Sequence, residues 1–247
     1  MPEQDSFYLL RERVQVCQGR DGLRAGMDAV LLGATPISGI RVLELGCGVA
    51  PALLCYGYRE TQSKLYGVEI RPEDAALARQ NATLNGMEVR MHIAVGDFSD
   101  IAVMAEQGIE FNTFDVVLCN PPFYRADQYS APEHTARQFS HLEQTPLADW
   151  ITHSMRYAKQ FGWIGMIHLP ERLPEILAAF GSKVGNIHLL PIHSRAGQKA
   201  KRLMIFGQKS RRSGLTLLPP LVMHDNEGYT PEAKRILEQA ESLDIKL

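Results

Sequence analysis

Between residues 41 and 169, short apolar, β-branched runs alternate with stretches of helical periodicity, and this alternation limits the architectures open to the 247-residue chain more than any other feature. Residues 41–45, 64–70, 89–95, 114–119 and 163–169 have the length and composition of strands. Pro51 suits the first position of a helix that follows Gly46-Cys47-Gly48-Val49-Ala50, and Arg71-Pro72 opens another that Asn85-Gly86 stops. Thr145-Pro146 begins a third, whose apolar Leu147, Trp150, Ile151, Met155 and Ala158 follow the 3.6-residue period. Strand and helix in regular succession predict a mainly parallel sheet covered by helices on both faces.

Beyond a helix over 174–180, runs at 187–192 and 203–207 are joined by a link too short for a parallel crossover, which predicts an antiparallel pair. Residues 215–223 read as an edge segment, and Thr230-Pro231-Glu232 caps a C-terminal helix. Upstream, 13–18 alternates like a strand and 19–22 reads as a turn. In Gly26-Met27-Asp28-Ala29-Val30-Leu31-Leu32-Gly33, Asp28 reads as the cap of a short apolar helix. The expected organisation is an N-terminal extension, 1–40, packed on one unit spanning 41–247.

A net charge of −2 provides no global field for a polyanion, so any nucleic-acid binding must rest on a local basic patch. No apolar run approaches a membrane span, and Met1-Pro2-Glu3-Gln4-Asp5 lacks the basic and apolar regions of a secretory signal, so a cytoplasmic location is expected. Cys17, Cys47, Cys55 and Cys119 form no Cys-x-x-Cys pair, and neither a disulfide framework nor a metal site is expected.

In such a sheet, ligands bind beyond the carboxyl ends of the strands, and four marked features fall there. Glu44-Leu45-Gly46-Cys47-Gly48-Val49-Ala50 forms a glycine-rich turn that lets backbone approach a ligand closely. Glu69 ends the second strand, where a carboxylate accepts ribose hydroxyls. Asp97 ends the third, suited to an adenine amino group, with Phe98 beside it. Asn120-Pro121-Pro122-Phe123 ends the fourth and offers an amide oxygen, stiff backbone carbonyls and a flat apolar face, the equipment for holding a planar amino group. Taken alone, Asn-Pro-Pro reads equally as a turn after a strand. A nicotinamide dinucleotide would use a similar first turn, but Pro51 removes an N–H that a pyrophosphate needs, whereas S-adenosylmethionine carries no phosphate and loses nothing.

These four motifs, in this order, resemble those of class I S-adenosylmethionine-dependent methyltransferases. With Gly-Met-Asp-Ala-Val-Leu-Leu-Gly upstream and Asn-Glu-Gly-Tyr-Thr-Pro-Glu-Ala from Asn226, the chain resembles the bacterial tRNA (adenine-N6) methyltransferase family, which acts beside the anticodon. The resemblance implies a Rossmann-like α/β fold with a seven-stranded, mainly parallel sheet, helices on both faces and the last strand antiparallel. It implies cofactor contacts at Asp28, Glu44, Gly46, Gly48, Ala50, Glu69, Asp97, Phe98 and Asn120. It places Asn120, Pro121, Pro122 and Phe123 at the acceptor amine, with Phe123 stacking on the base. Ala50 stands where many relatives have glycine, and Met27 where threonine is usual.

Two regions suit a large substrate. The polar stretch 124–144, with Arg125, Tyr129, His134, Arg137 and His141, reads as a mobile lid or as a surface loop. Arg195, Lys199, Lys201, Arg202, Lys209, Arg211 and Arg212 suit phosphate contacts, and equally a solvated charged hairpin. The expected substrate is tRNA, with Arg125, Arg137, Lys199, Lys201 and Arg202 as its contacts. Guanine-N2 methylation of ribosomal RNA, glutamine methylation of a protein and a non-catalytic cofactor-binding module remain open, since the acceptor motif fits any planar amino group.

Overall fold

The computed structural model describes residues 4–19, 26–125, 142–143 and 145–247. Its strands are β1 (Gln4–Leu9), β2 (Val14–Gly19), β3 (Arg41–Leu45), β4 (Lys64–Glu69), β5 (Met91–Val95), β6 (Phe114–Cys119), β7 (Tyr124–Arg125), β8 (Leu142–Glu143), β9 (Ala158–His168), β10 (Val184–Arg195), β11 (Ala200–Lys209), β12 (Leu215–Leu217) and β13 (Leu221–His224). Its helices are α1 (Met27–Gly33), α2 (Pro51–Arg59), α3 (Pro72–Leu84), α4 (Ile101–Glu106), α5 (Leu147–Tyr157), α6 (Leu173–Phe180) and α7 (Pro231–Gln239).

The main sheet has the order β12-β10-β11-β9-β6-β3-β4-β5, with β13 also paired to β10. Strands β5, β4, β3, β6 and β9 are parallel. The chain builds outward from β3 in one direction through β4 and β5, then returns to the other side at β6. The crevice between the ends of β3 and β6 is therefore the topological switch point, where ligands bind in sheets of this kind. Strand β11 inserts antiparallel between β9 and β10. Beside the seven expected strands, short β12 and β13, both parallel to β10, form the edge segment expected over 215–223 and cover that otherwise bare edge.

Alternation along each strand divides the core in two. Val42, Val116 and Leu118 face one apolar cluster with Leu53, Leu54, Ala75 and Ala78 of α2 and α3. Leu43, Leu45, Val117 and Cys119 face the other, with Ile151, Met155 and Ile176 of α5 and α6. Burial on both faces explains why these strands read as continuous apolar runs rather than as a polar–apolar alternation.

Two expectations change, and two elements appear that the sequence did not announce. Ala158, read as helical, starts β9, which is longer than expected because Phe161 adopts φ 62° and a register shift against β6 absorbs the irregularity. Helix α4 and strand β1 were not expected; α4 is only six residues long, and β1 gains its strand character by pairing antiparallel with β2. Asp28 does not cap α1: the N-cap is Gly26, without a side-chain bond, and the Asp28 carboxylate pairs instead with Arg202 at 2.9 Å. The lid expected over 124–144 lies outside the described residues, except for the short parallel pair β7 and β8.

Candidate active site

The turn after β3 takes its shape from three left-handed residues: Gly46 at φ 62°, Gly48 at φ 55° and Ala50 at φ 66°. The glycines differ in purpose. A Cβ on Gly46 would lie 2.4 Å from the Trp150 indole, so this position is closed by packing; a Cβ on Gly48 would meet nothing within 4 Å, so its backbone borders open space. Ala50 caps α2 in a conformation that disfavours a side chain. Pro51 follows at the first helical position, and this helix start therefore lacks one amide that an anion would use.

Glu69, at the end of β4, holds the turn from the side. Its Oε2 accepts the Gly48 amide at 2.8 Å and its Oε1 accepts the Arg71 amide at 3.0 Å. Asn81 of α3, fully buried, donates to the Val49 carbonyl at 3.0 Å. Asp97 follows β5, exposed, with Oδ1 accepting the Ser99 amide. Phe98 is buried, its ring 4.7 Å from Trp150 and 5.4 Å from His153; it forms the wall of the site and not a freely presented face.

Glu44 sits beneath the turn, 3% exposed, with Oε2 meeting no hydrogen-bond partner among the described residues. Burial raises its pKa to about 8; the Leu53 amide opposes that rise and the Glu69 charge adds to it. A buried carboxyl with an unpartnered oxygen suits a cationic group above it. Together with the missing helix-start amide and Glu69 beside the turn, the residues present fit S-adenosylmethionine, which is cationic at its methionyl end, carries a ribose and has no phosphate.

One strand over, where Leu45 of β3 pairs with Cys119 of β6, Asn120 leaves the sheet. Its Oδ1 is buried and also without a partner among the described residues. A buried amide oxygen left unbonded costs about 1–3 kcal/mol unless something donates to it. The Phe123 carbonyl accepts from Arg172 Nη1 at 3.4 Å, and Arg172 is itself gripped by Glu175 at 2.9 and 3.2 Å. The Phe123 ring has the Arg202 guanidinium 4.3 Å from its centroid and the edge-on His168 ring at 5.4 Å. Burial, followed by the Arg172 charge, lowers His168 to about 4, leaving it neutral and weakly basic at physiological pH.

The structure thus brings Glu44, Gly46, Gly48, Ala50, Glu69, Asp97, Phe98 and the Asn120–Phe123 run to one edge of the sheet, and Asp28 joins them through Arg202. Lys199 and Lys201 are exposed near that edge. Arg202 points inward to Asp28 and Phe123. For Arg125 only the backbone is described, and Arg137 lies outside the described residues. Lys209, Arg211 and Arg212 stand at the opposite end of β11. Sequence reasoning missed Trp150, His168 and Arg172 as site residues. Trp150 was visible as a core position of a helix, but its contact with Gly46 spans 104 residues and leaves no local mark.

A family model described as "Methyltransferase domain" matches residues 37–168. A tRNA1(Val) (adenine(37)-N6)-methyltransferase of Porphyromonas gingivalis is 28% identical over 239 residues, covering 92% of each chain. The protein of the same description from Yersinia enterocolitica is 29% identical over 225 residues, covering 88% of this chain and 85% of its own. Among solved structures, a predicted O-methyltransferase from Agrobacterium tumefaciens superposes with a TM-score of 0.74 at 24% identity, over 89% of this chain and 99% of that one, a likeness of fold.

Proposed function

The chain belongs to the methyltransferase-domain family, and on that premise we propose that it is an S-adenosylmethionine-dependent N-methyltransferase acting on the N6 amine of an adenine in tRNA. The observation that supports this reading is the buried Oδ1 of Asn120, which has no partner among the described residues and suits one N–H of a planar amine. The family relatives are named for that chemistry on that class of RNA.

S-adenosylmethionine supplies a methyl group on a cationic sulfur. Glu44 and the Gly46–Gly48 turn would receive its methionyl end, Glu69 its ribose, and Asp97 with the Phe98 wall its adenine. On the acceptor side an exocyclic amine is a weak nucleophile, because its lone pair is delocalised into the ring. Asn120 Oδ1 and the Pro121 carbonyl accept its two protons and turn the lone pair toward the methyl group, so positioning supplies most of the rate. As the N–C bond formed, the S–C bond would break and its electron pair return to sulfur as a neutral thioether; the nitrogen, then cationic, would pass one proton along its hydrogen bonds to water. His168, neutral down to about pH 4, is a weak base, and this scheme asks none of it. The Phe123 ring is buried, with Arg202 over it, so a base would stack there once that ring is uncovered; stacking of this kind contributes about 1–3 kcal/mol. No described helix is long and apolar enough to cross a membrane, and a cytoplasmic location suits an enzyme of tRNA.

The test is incubation with methyl-labelled S-adenosylmethionine and fractionated RNA, followed by nucleoside analysis. Label is expected in N6-methyladenosine from the tRNA fraction; label confined to protein, or to guanosine of ribosomal RNA, would overturn the reading. Asn120→Ala should lower the transfer rate about a hundredfold, the scale of losing one oriented hydrogen-bonding group at a reacting centre, while cofactor affinity changes little.

A further inference from the structure

Away from this site, one concave surface carries charge of a single sign. A cavity of about 740 Å3 opens between α4, α5, the start of β10 and the end of β11, and Arg156, Lys183, Lys209, Arg211 and Arg212 line it. The remaining polar lining consists of hydroxyls and one amide, with no carboxylate. Among the described residues none of the five cations is ion-paired.

Neutral groups orient three of them instead. Lys209 Nζ donates to Asn112 Oδ1 at 2.6 Å and to the Ala158 carbonyl at 2.7 Å. Arg211 Nε donates to Gln208 Oε1 at 3.0 Å, and its guanidinium lies 4.8 Å from the Phe161 ring centroid. The Arg156 guanidinium lies 5.8 Å from the Phe111 centroid. Such partners fix direction without cancelling charge. Partial burial already lowers the Lys209 pKa, a sign that its ammonium lacks a compensating anion. Five like charges converging on one concavity repel one another, and low-dielectric walls focus their field outward. With a net charge of −2, general basicity does not account for the cluster.

We propose that this cavity is a phosphate-docking site that grips the sugar–phosphate backbone of the RNA substrate at a distance from the methylated base, an inference that rests on RNA being the substrate. Strand β11 sets the separation: Arg202, near its start, touches Phe123, and Lys209 ends it. Seven strand residues at about 3.3 Å each put the two sites on the order of 20–25 Å apart. Guanidinium forks with hydroxyl donors between them match phosphate oxygens, and a site so far from the acceptor slot serves a long polyanion better than a small substrate. The run of basic residues from Arg195 to Arg212 is therefore two surfaces, one at each edge of the sheet.

The test uses the full chain carrying K183E, R211E and R212E. All three side chains are exposed, so folding is expected to survive, and circular dichroism and cofactor affinity check that it does. Binding is measured by fluorescence anisotropy for a full-length tRNA transcript and for a stem-loop carrying only the target arm. The Kd for full-length tRNA should rise at least about tenfold, and the slope of log K against log salt should become shallower by roughly 2–3, the loss of about three phosphate contacts. Binding and methylation of the stem-loop should stay as in the wild type. An unchanged tRNA Kd and slope would overturn the docking site, as would an equal loss on both RNAs. Pyrophosphate binding that the variant loses while tRNA affinity persists would assign the cavity to a small anion, and polyglutamate competing as well as RNA would assign it to an acidic peptide; either result also overturns the proposal. A wild type that methylates no RNA defeats the functional reading itself. One that methylates tRNA normally alongside an unaffected variant defeats only the docking site.

Discussion

Glu44 carries the strongest electrostatic tension at the centre of the site, because the fold buries a carboxyl and leaves one of its oxygens unbonded among the described residues. Its pKa, raised from 4.5 to about 8, makes folding and ligand binding respond to pH in opposite directions. The folded state holds the proton more tightly than the unfolded one. The stability this group contributes is thus complete below about 4.5 and is lost as pH rises through about 8. A cationic ligand above Glu44 favours the carboxylate, so binding expels the proton and affinity rises over the same interval. Glu44→Gln separates the two effects. The variant should melt higher than wild type at pH 9 in the absence of ligand, since no charge is then buried. It should also bind S-adenosylmethionine at least about tenfold more weakly at that pH, with an affinity that no longer climbs between pH 6 and pH 9; tenfold corresponds to about 1.4 kcal/mol. Thermal melts and isothermal titration across that range measure both, and a wild-type affinity that is flat with pH would show that no cation sits over Glu44.

At the scale of elements, legibility followed the range of the interactions. The parallel strands were readable because burial on both faces turns each into an apolar run, and the strand-end motifs were readable because β3, β4, β5 and β6 all deliver their next residue to the same edge. Asp28 was misread for the corresponding reason. An aspartate ahead of an apolar helix is a general start signal, while its actual partner, Arg202, lies 174 residues on and leaves no local trace. The pair links α1 to β11, and Arg202 spans from Asp28 to the Phe123 ring. Asp28 therefore positions Arg202, and Arg202 in turn steadies the Phe123 ring, the proposed stacking face for the base. Arg202→Ala should raise KM for tRNA by about three- to tenfold, matching the 0.5–1 kcal/mol or more of a cation–π contact, with cofactor affinity unaltered. Asp28→Asn should produce part of that loss, and the double variant should be no worse than Arg202→Ala alone, because both act through one contact. Additive losses in that cycle would mean that Asp28 acts elsewhere.

On the scale of the whole molecule, the N-terminal hairpin and the sheet are joined by an arrangement in which a helix imitates a strand. Asn81 of α3 and Asn85, its C-cap, stand one turn apart, about 6 Å along the axis, close to the roughly 6.6 Å between alternate residues of a strand. Their amides therefore match the edge of β2. Asn81 accepts from the Cys17 amide at 2.8 Å and donates to the Cys17 carbonyl at 2.9 Å. Asn85 does the same for Gln15 at 2.9 and 2.7 Å. Asn81 alone reaches further, to Val49 in the turn after β3, so the hairpin, α3 and that turn share one buried amide. These bonds predict that the hairpin folds with the sheet and supports the turn. Asn81→Ala should strand three buried backbone groups and destabilise the chain by about 3 kcal/mol, at roughly 1 kcal/mol per lost bond. It should also weaken S-adenosylmethionine binding by freeing Val49. Asn85→Ala cuts the hairpin's other tie without touching the turn, so it should cost less stability and leave cofactor affinity intact. Denaturant melts of both variants should remain single transitions. A separate early transition in Asn81→Ala, with the affinity of the remaining fold unchanged, would instead make residues 1–40 an appendage that the catalytic unit does not need.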